Sequence, residues 1–204
     1  MRRYRPAVEA LALLLVTFPL AVGLHLPPLW LLMPVALITL CKRPYATYGL
    51  AWERPGSVGF HAAVIAGVFI PYAFGHWLFA RWCFGATFHL RVPESFWESV
   101  LDQTLVIALP EEFFFRGYLQ TQLDEVFGTP YRLLGAPVGA GLVLAAVVFA
   151  VCHVMYGGAV RLIVFFPGLL YGWLRARTGT IAVPVLYHAG SNLLMQIMLT
   201  SLSA

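Results

Sequence analysis

From residue 10 to residue 41 the chain contains no Asp, Glu, Lys or Arg, and no other feature constrains its fold as strongly. A run that long is out of place in a small soluble core, whereas in a bilayer about 20 apolar residues cross roughly 30 Å of hydrocarbon as one helix. The backbone has no water to bond there, so the crossing segments must be helical or form a closed barrel. Further charge-free stretches follow at 58–80, 133–160 and 162–174 and from 178 onward. Composition agrees, with 60% hydrophobic and 11% charged residues, where soluble domains carry roughly a quarter charged. The expected fold class is therefore all-α, a polytopic membrane helix bundle of about seven transmembrane helices.

The spans can be placed. "HLPP" at 25–28 splits residues 10–41 into a hairpin of two short spans, because proline interrupts the helical ladder. A third span is expected over 58–80, a fourth over 97–123, a fifth over 133–156, a shorter sixth over 162–174 and a last over 180–202. The whole is expected to form one integral-membrane domain, 1–204, with N-terminal helices in 1–96 and a motif-bearing core in 97–202. The basic start "MRRYRP" ahead of an apolar run resembles a signal peptide but is followed by no clear cleavage site, so it reads as an uncleaved first span.

The net charge of +4 does not point to nucleic acid, since the basic residues stand at the ends of apolar runs and form no stripe. On a seven-span model Arg2, Arg3, Arg5, Lys42, Arg43, Arg54, Arg132, Arg175 and Arg177 fall on one side, and Arg81, Arg91 and Arg161 on the other. That asymmetry predicts a cytoplasmic N-terminus. Cys41, Cys83 and Cys152 are far apart with no CxxC, which indicates neither a disulfide framework nor a zinc knuckle. His25, His61, His76 and His89 are expected near interfaces. Trp and Tyr residues, Trp52 among them, form an aromatic belt.

Against this background "LPEEFFFRGY" (109–118) stands out. Each charge at mid-membrane costs roughly 2.5–3.5 kcal/mol, so Glu111, Glu112 and Arg116 must face the bundle interior or end at the interface. Glu112 and Arg116 have the i,i+4 spacing of an ion pair. Glu111 points about 100° away on an ideal helix and is left free, and Pro110 ahead of it can kink or restart the helix. "FAVCH" places Phe149 and His153 on one helix face, and "HAGSN" does the same for His188 and Asn192. Converging, they bring a carboxylate, two imidazoles and a carboxamide into one pocket, with Tyr118, Tyr156 and Tyr187 as further candidates to line it. A carboxylate there can act as a general base on water, and the other donors can stabilise the oxyanion formed when that water attacks a carbonyl.

Other chemistries suit the same residues. Two His and a carboxylate make a plausible zinc shell, although HExxH is absent. A serine mechanism would use Ser191, without GxSxG. A non-enzymatic scaffold or transporter could use the polar pocket for binding, although no internal repeat is apparent.

In order, EExxxR, FxxxH and HxxxN on successive apolar segments resemble the CPBP family (CAAX proteases and bacteriocin-processing enzymes, also ABI or Rce1-like), a family of intramembrane glutamic proteases. The similar part spans about 97–202, and the chain's small size resembles compact bacterial, myxosortase-like members. The resemblance implies catalytic roles for Glu111 and His153 in activating water and for His188 and Asn192 in stabilising the oxyanion. Glu112 and Arg116 would be supporting residues, and no metal or cofactor would be needed. It further implies a membrane-embedded or lipidated protein or peptide substrate, cut near a membrane-associated segment or C-terminus, in a bacterial or archaeal inner membrane.

Overall fold

The computed structural model describes residues 2–51 and 55–203; Trp52 and Arg54, used above, lie outside the described residues. Seven helices follow one another among those residues. Helix α1 (Arg5–Gly23) and α2 (Leu29–Leu40) form the hairpin, turning at 24–28. Helix α3 runs over Val58–Phe84, with Ser57 capping its start by accepting from the Phe60 amide. Helix α4 runs without a break from Phe96 to Phe127. Then come α5 (Ala140–Gly157), α6 (Ala159–Thr178), whose first turns are 3-10, and α7 (Ala182–Ser201). Helices α1, α3, α5 and α6 are each long and apolar enough to cross a membrane. The all-α bundle expected from the sequence is the observed architecture.

The differences in boundaries have local causes. The fifth helix begins at Ala140, not near 133, because strands Tyr131–Leu133 and Ala136–Val138 pair as a short antiparallel ribbon. Leu134 and Gly135, both with positive φ, make its turn. The third and sixth helices run on to Phe84 and Thr178, each ended by a left-handed glycine, Gly85 and Gly179.

The core forms around α4, where every residue from Phe113 to Leu119 is buried. Trp30 of α2 meets the rings of Phe114 and Phe115 at 4.7 and 5.0 Å, and Tyr48 stacks on Tyr118 at 5.7 Å. Gly117 lets the loop before α3 sit directly on α4, since a Cβ there would lie 2.8 Å from the Tyr48 carbonyl oxygen.

Two ends of the bundle can be told apart by what ties them. At one end Arg3 donates to the Val126 carbonyl at the end of α4, and Arg175 donates to the Thr47 carbonyl. There too the Ile181 amide donates to the Gly49 carbonyl, and Arg43 grips both carboxylate oxygens of Glu9 at 2.6 and 2.7 Å. At the other end Thr87–Phe88 pairs with Leu202–Ser203, and the Arg91 amide donates to Ser201.

Gly117→Ala is expected to cost about 1–3 kcal/mol through overpacking against backbone, read as a lowered melting temperature in detergent. Gly75→Ala, where a Cβ meets nothing within 4 Å, should leave it unchanged.

Candidate active site

The two glutamates occupy an unusual piece of helix. Leu109–Glu112 is a short α-helical stretch of α4, with π-helical turns over Asp102–Ala108 before it and Phe113–Leu119 after it. Pro110 has no N–H to return to the preceding turn, and π turns, rare elsewhere, recur at functional sites. The helix therefore neither restarts nor breaks at Pro110.

Glu112 is wholly buried, and one of its oxygens, Oε1, serves two partners. Arg116 Nη1 donates to it at 2.8 Å, and His188 Nδ1 of α7 lies 2.8 Å from it. A carboxylate can only accept, so Nδ1 of His188 carries the proton. His188 Nε2 is left without a hydrogen-bond partner among the described residues. Arg116 in turn donates to the Gly168 carbonyl of α6 at 3.3 Å and lies over the Phe149 ring at 4.1 Å. The expected i,i+4 pair is present, but it reaches further than a local pair. It joins α4 to α5, α6 and α7.

Glu111 is placed differently. Its Oε2 is buried without a hydrogen-bond partner and lies 3.8 Å from Nε2 of His153. His153 Nδ1 stands 2.9 Å from the Phe149 carbonyl one turn back. A carbonyl accepts, so Nδ1 bears a hydrogen, and in the neutral form of the ring Nε2 faces Glu111 as an acceptor. Their separation exceeds a direct hydrogen bond and suits a single bridging water.

Phe149 packs between these two arrangements, with ring centroids 4.3 Å from His153 and 6.1 Å from His188. On its other side His188 stacks nearly parallel on Tyr171, at 5.1 Å and 15°. The Tyr171 hydroxyl donates to Ser191, and Ser191 donates to the Tyr187 carbonyl. Both bonds of the Ser191 hydroxyl are structural, and no histidine hydrogen-bonds to it among the described residues.

The Asn192 side chain makes no hydrogen bond to the other candidates among the described residues. It sits one turn along α7 from His188 and donates through Nδ2 to Gln103 Oε1 at 2.7 Å. It lines a cleft of about 790 Å³ with Gln103 and Asp102 of α4 and Arg161 of α6. Among the described residues no three His, Cys, Asp or Glu side chains are grouped so as to hold a metal ion.

The tyrosine expectations divide. Tyr156 lies by His153, with ring centroids 5.3 Å apart. Tyr118 instead donates to Glu9, and the Tyr187 hydroxyl lies 3.0 Å from His61 Nδ1, so neither lines the site. Gln103 and Tyr171 were not among the candidates. Gln103 had a signal, being a lone amide in an apolar stretch two turns ahead of Glu111. Tyr171 had none, because only the crossing of α6 and α7 brings it to His188.

A comparison with known families matches residues 93–194, half of the chain, to the Rce1-like family, described as type II CAAX prenyl endopeptidase Rce1-like. The matched stretch takes in the paired glutamates and both histidines. The class is thus that of integral membrane proteases of the CAAX type. The chain belongs to the Rce1-like family, in keeping with its resemblance to CPBP proteases. No curated protein and no solved structure was found to match it.

Removing one partner of a buried pair leaves the other charge unpaired, at about 3–5 kcal/mol. Arg116→Ala should therefore sharply lower the melting temperature and the amount of folded protein recovered from membranes, as size-exclusion profiles in detergent would record.

Proposed function

We propose that this protein is a metal-independent intramembrane endopeptidase of the glutamic type. It hydrolyses a peptide bond near a membrane-associated segment or C-terminus of a membrane-embedded or lipidated substrate protein. The observation that carries this reading is the unpartnered Glu111 oxygen 3.8 Å from an imidazole nitrogen whose hydrogen is committed elsewhere.

Glu111 and Nε2 of His153 are two acceptors facing one gap. A water between them gives one hydrogen to each, which turns an oxygen lone pair toward the substrate carbonyl. As that oxygen bonds to the carbonyl carbon, Glu111 takes the proton and the carbonyl π electrons move onto oxygen. The oxyanion receives one hydrogen bond from Asn192, whose amide has two N–H groups and commits only one to Gln103. His188, held by Glu112 through Nδ1, is placed to supply the second donor. The C–N bond then breaks, the leaving nitrogen takes the proton held by Glu111, and a carboxylic acid and an amine are released. Glu112 and Arg116 support the chemistry. Glu112 also positions His188, a role beyond neutralising Arg116.

The chain lies in a bacterial or archaeal inner membrane with its N-terminus in the cytoplasm. Supporting this orientation, Arg3, Arg5, Lys42, Arg43, Arg132, Arg175 and Arg177 stand at one end of the helices, and Arg81, Arg91 and Arg161 at the other; Lys and Arg gather on the cytoplasmic side.

Cells expressing the wild-type chain, compared by mass spectrometry of membrane-protein termini with cells expressing Glu111→Gln or His153→Ala, should show new termini that both variants lack at equal protein level. The same termini from Glu111→Gln would overturn the assignment. Asn192→Ala should lower the rate of their formation about 10²–10³-fold, the loss of one oxyanion donor. Chelation by EDTA should leave cleavage by purified protein unchanged, and a loss restored by zinc would count against the metal-independent mechanism.

A further inference from the structure

The cleft beside Asn192 is bounded by the first turns of α4, with Glu98 and Asp102, by Arg161 at the start of α6 and by the last turns of α7, with Gln196 and Thr200. These are the helix ends drawn together where Thr87–Phe88 pairs with Leu202–Ser203 and the Thr200 hydroxyl donates to the Arg91 carbonyl. The opposite end holds the start of α1, the loop with Lys42 and Arg43, the end of α4 and the end of α6, tied together through Arg3, Arg175 and Ile181.

Among the described residues that opposite end carries seven Lys and Arg, and the cleft end carries three. Turning the molecule over would place all seven across the membrane, against the bias that sets topology. The cleft also has an apolar flank. Met195 lines it, and Tyr72 of α3 reaches Met195 Sδ at 3.6 Å. The neighbouring half of α3 leaves Phe74, Phe79 and Trp82 exposed.

We infer that the cleft leading to Asn192 opens on the extracytoplasmic face, so that the substrates are proteins cut in a segment exposed there, beside an apolar anchor. This rests on the proteolytic reading for the substrate, and on the charge distribution and the helix ends for the direction. A lipidated C-terminus presented from the cytoplasm would meet the wrong end of the bundle.

The chain carries two natural probes for the direction. Cys41 ends α2 and Cys83 lies near the end of α3, both exposed and at opposite ends, while Cys152 is buried. Three single-cysteine forms of the full-length protein would be expressed in bacteria. One keeps Cys83, one keeps Cys41, and one has all three natural cysteines replaced by serine together with Glu98→Cys at the cleft rim. A membrane-impermeant maleimide polymer would be added to intact spheroplasts and, separately, to permeabilised ones.

The expected result is a gel shift of the Cys83 and Glu98→Cys forms in intact spheroplasts and of the Cys41 form only after permeabilisation. Labelling of Cys41 in intact spheroplasts, with Cys83 and Glu98→Cys shielded, would place the cleft in the cytoplasm and overturn the inference. So would labelling of Cys83 with Glu98→Cys shielded. The natural-cysteine forms keep the test valid if the Glu98→Cys form does not accumulate. Labelling needs no cleavage, so a failure of the proteolytic reading leaves this readout intact. If both readings hold, the new termini seen by mass spectrometry map to the outer ends of apolar segments.

Discussion

A guanidinium and a carboxylate buried together in an apolar bundle set the terms for the rest of this structure. Isolated in a low dielectric, either charge would carry a desolvation penalty of several kcal/mol. Paired at 2.8 Å they are tolerable, but only while the surrounding groups satisfy what the pair leaves over. The Gly168 carbonyl, the Phe149 face and His188 supply much of this, leaving only the second Glu112 oxygen without a partner, and they come from α6, α5 and α7. Meeting the needs of Arg116 and Glu112 thus requires these three helices to converge on α4. The same convergence sets His153 opposite Glu111.

Two adjacent glutamates on one helix thereby have unlike surroundings. Each keeps one buried oxygen without a hydrogen-bond partner, but Glu112 holds two donors on its Oε1, whereas Glu111 turns its bare oxygen toward His153. The helix around them is π-helical on both sides, and the three phenylalanines that follow are fully packed. That packing holds the carboxylates in place without adding polar groups that would compete for them. Tyr171 completes the arrangement by stacking on His188 while its hydroxyl is anchored through Ser191. The ring is held on one face by Tyr171 and at one nitrogen by Glu112, which leaves the other nitrogen for work.

Much of this was legible in the residues because membranes penalise polar groups so heavily. The charge-free runs announced the helices, and the three charges in "LPEEFFFRGY" announced that something must compensate them. Spacing alone paired Glu112 with Arg116 and separated Glu111. The start of α5 was misplaced because 133–138 is as apolar as a span, and only strand pairing marks it as a ribbon. Tyr118 was misjudged for a similar reason. It is within two turns of the glutamates, yet its side chain serves Glu9 on α1.

Periodicity and hydrophobicity act within one helix, so they could determine the helical class, the approximate spans and which residues were costly enough to need a purpose. They could not determine how the helices meet. That Glu112 reaches His188, that Gln103 holds Asn192, and that Tyr171 lies flat on the His188 ring are relations between residues far apart in the chain. Van der Waals packing and hydrogen bonds between helices decide them, because in lipid there is little hydrophobic force to drive helices together. Only the tertiary structure could resolve those contacts.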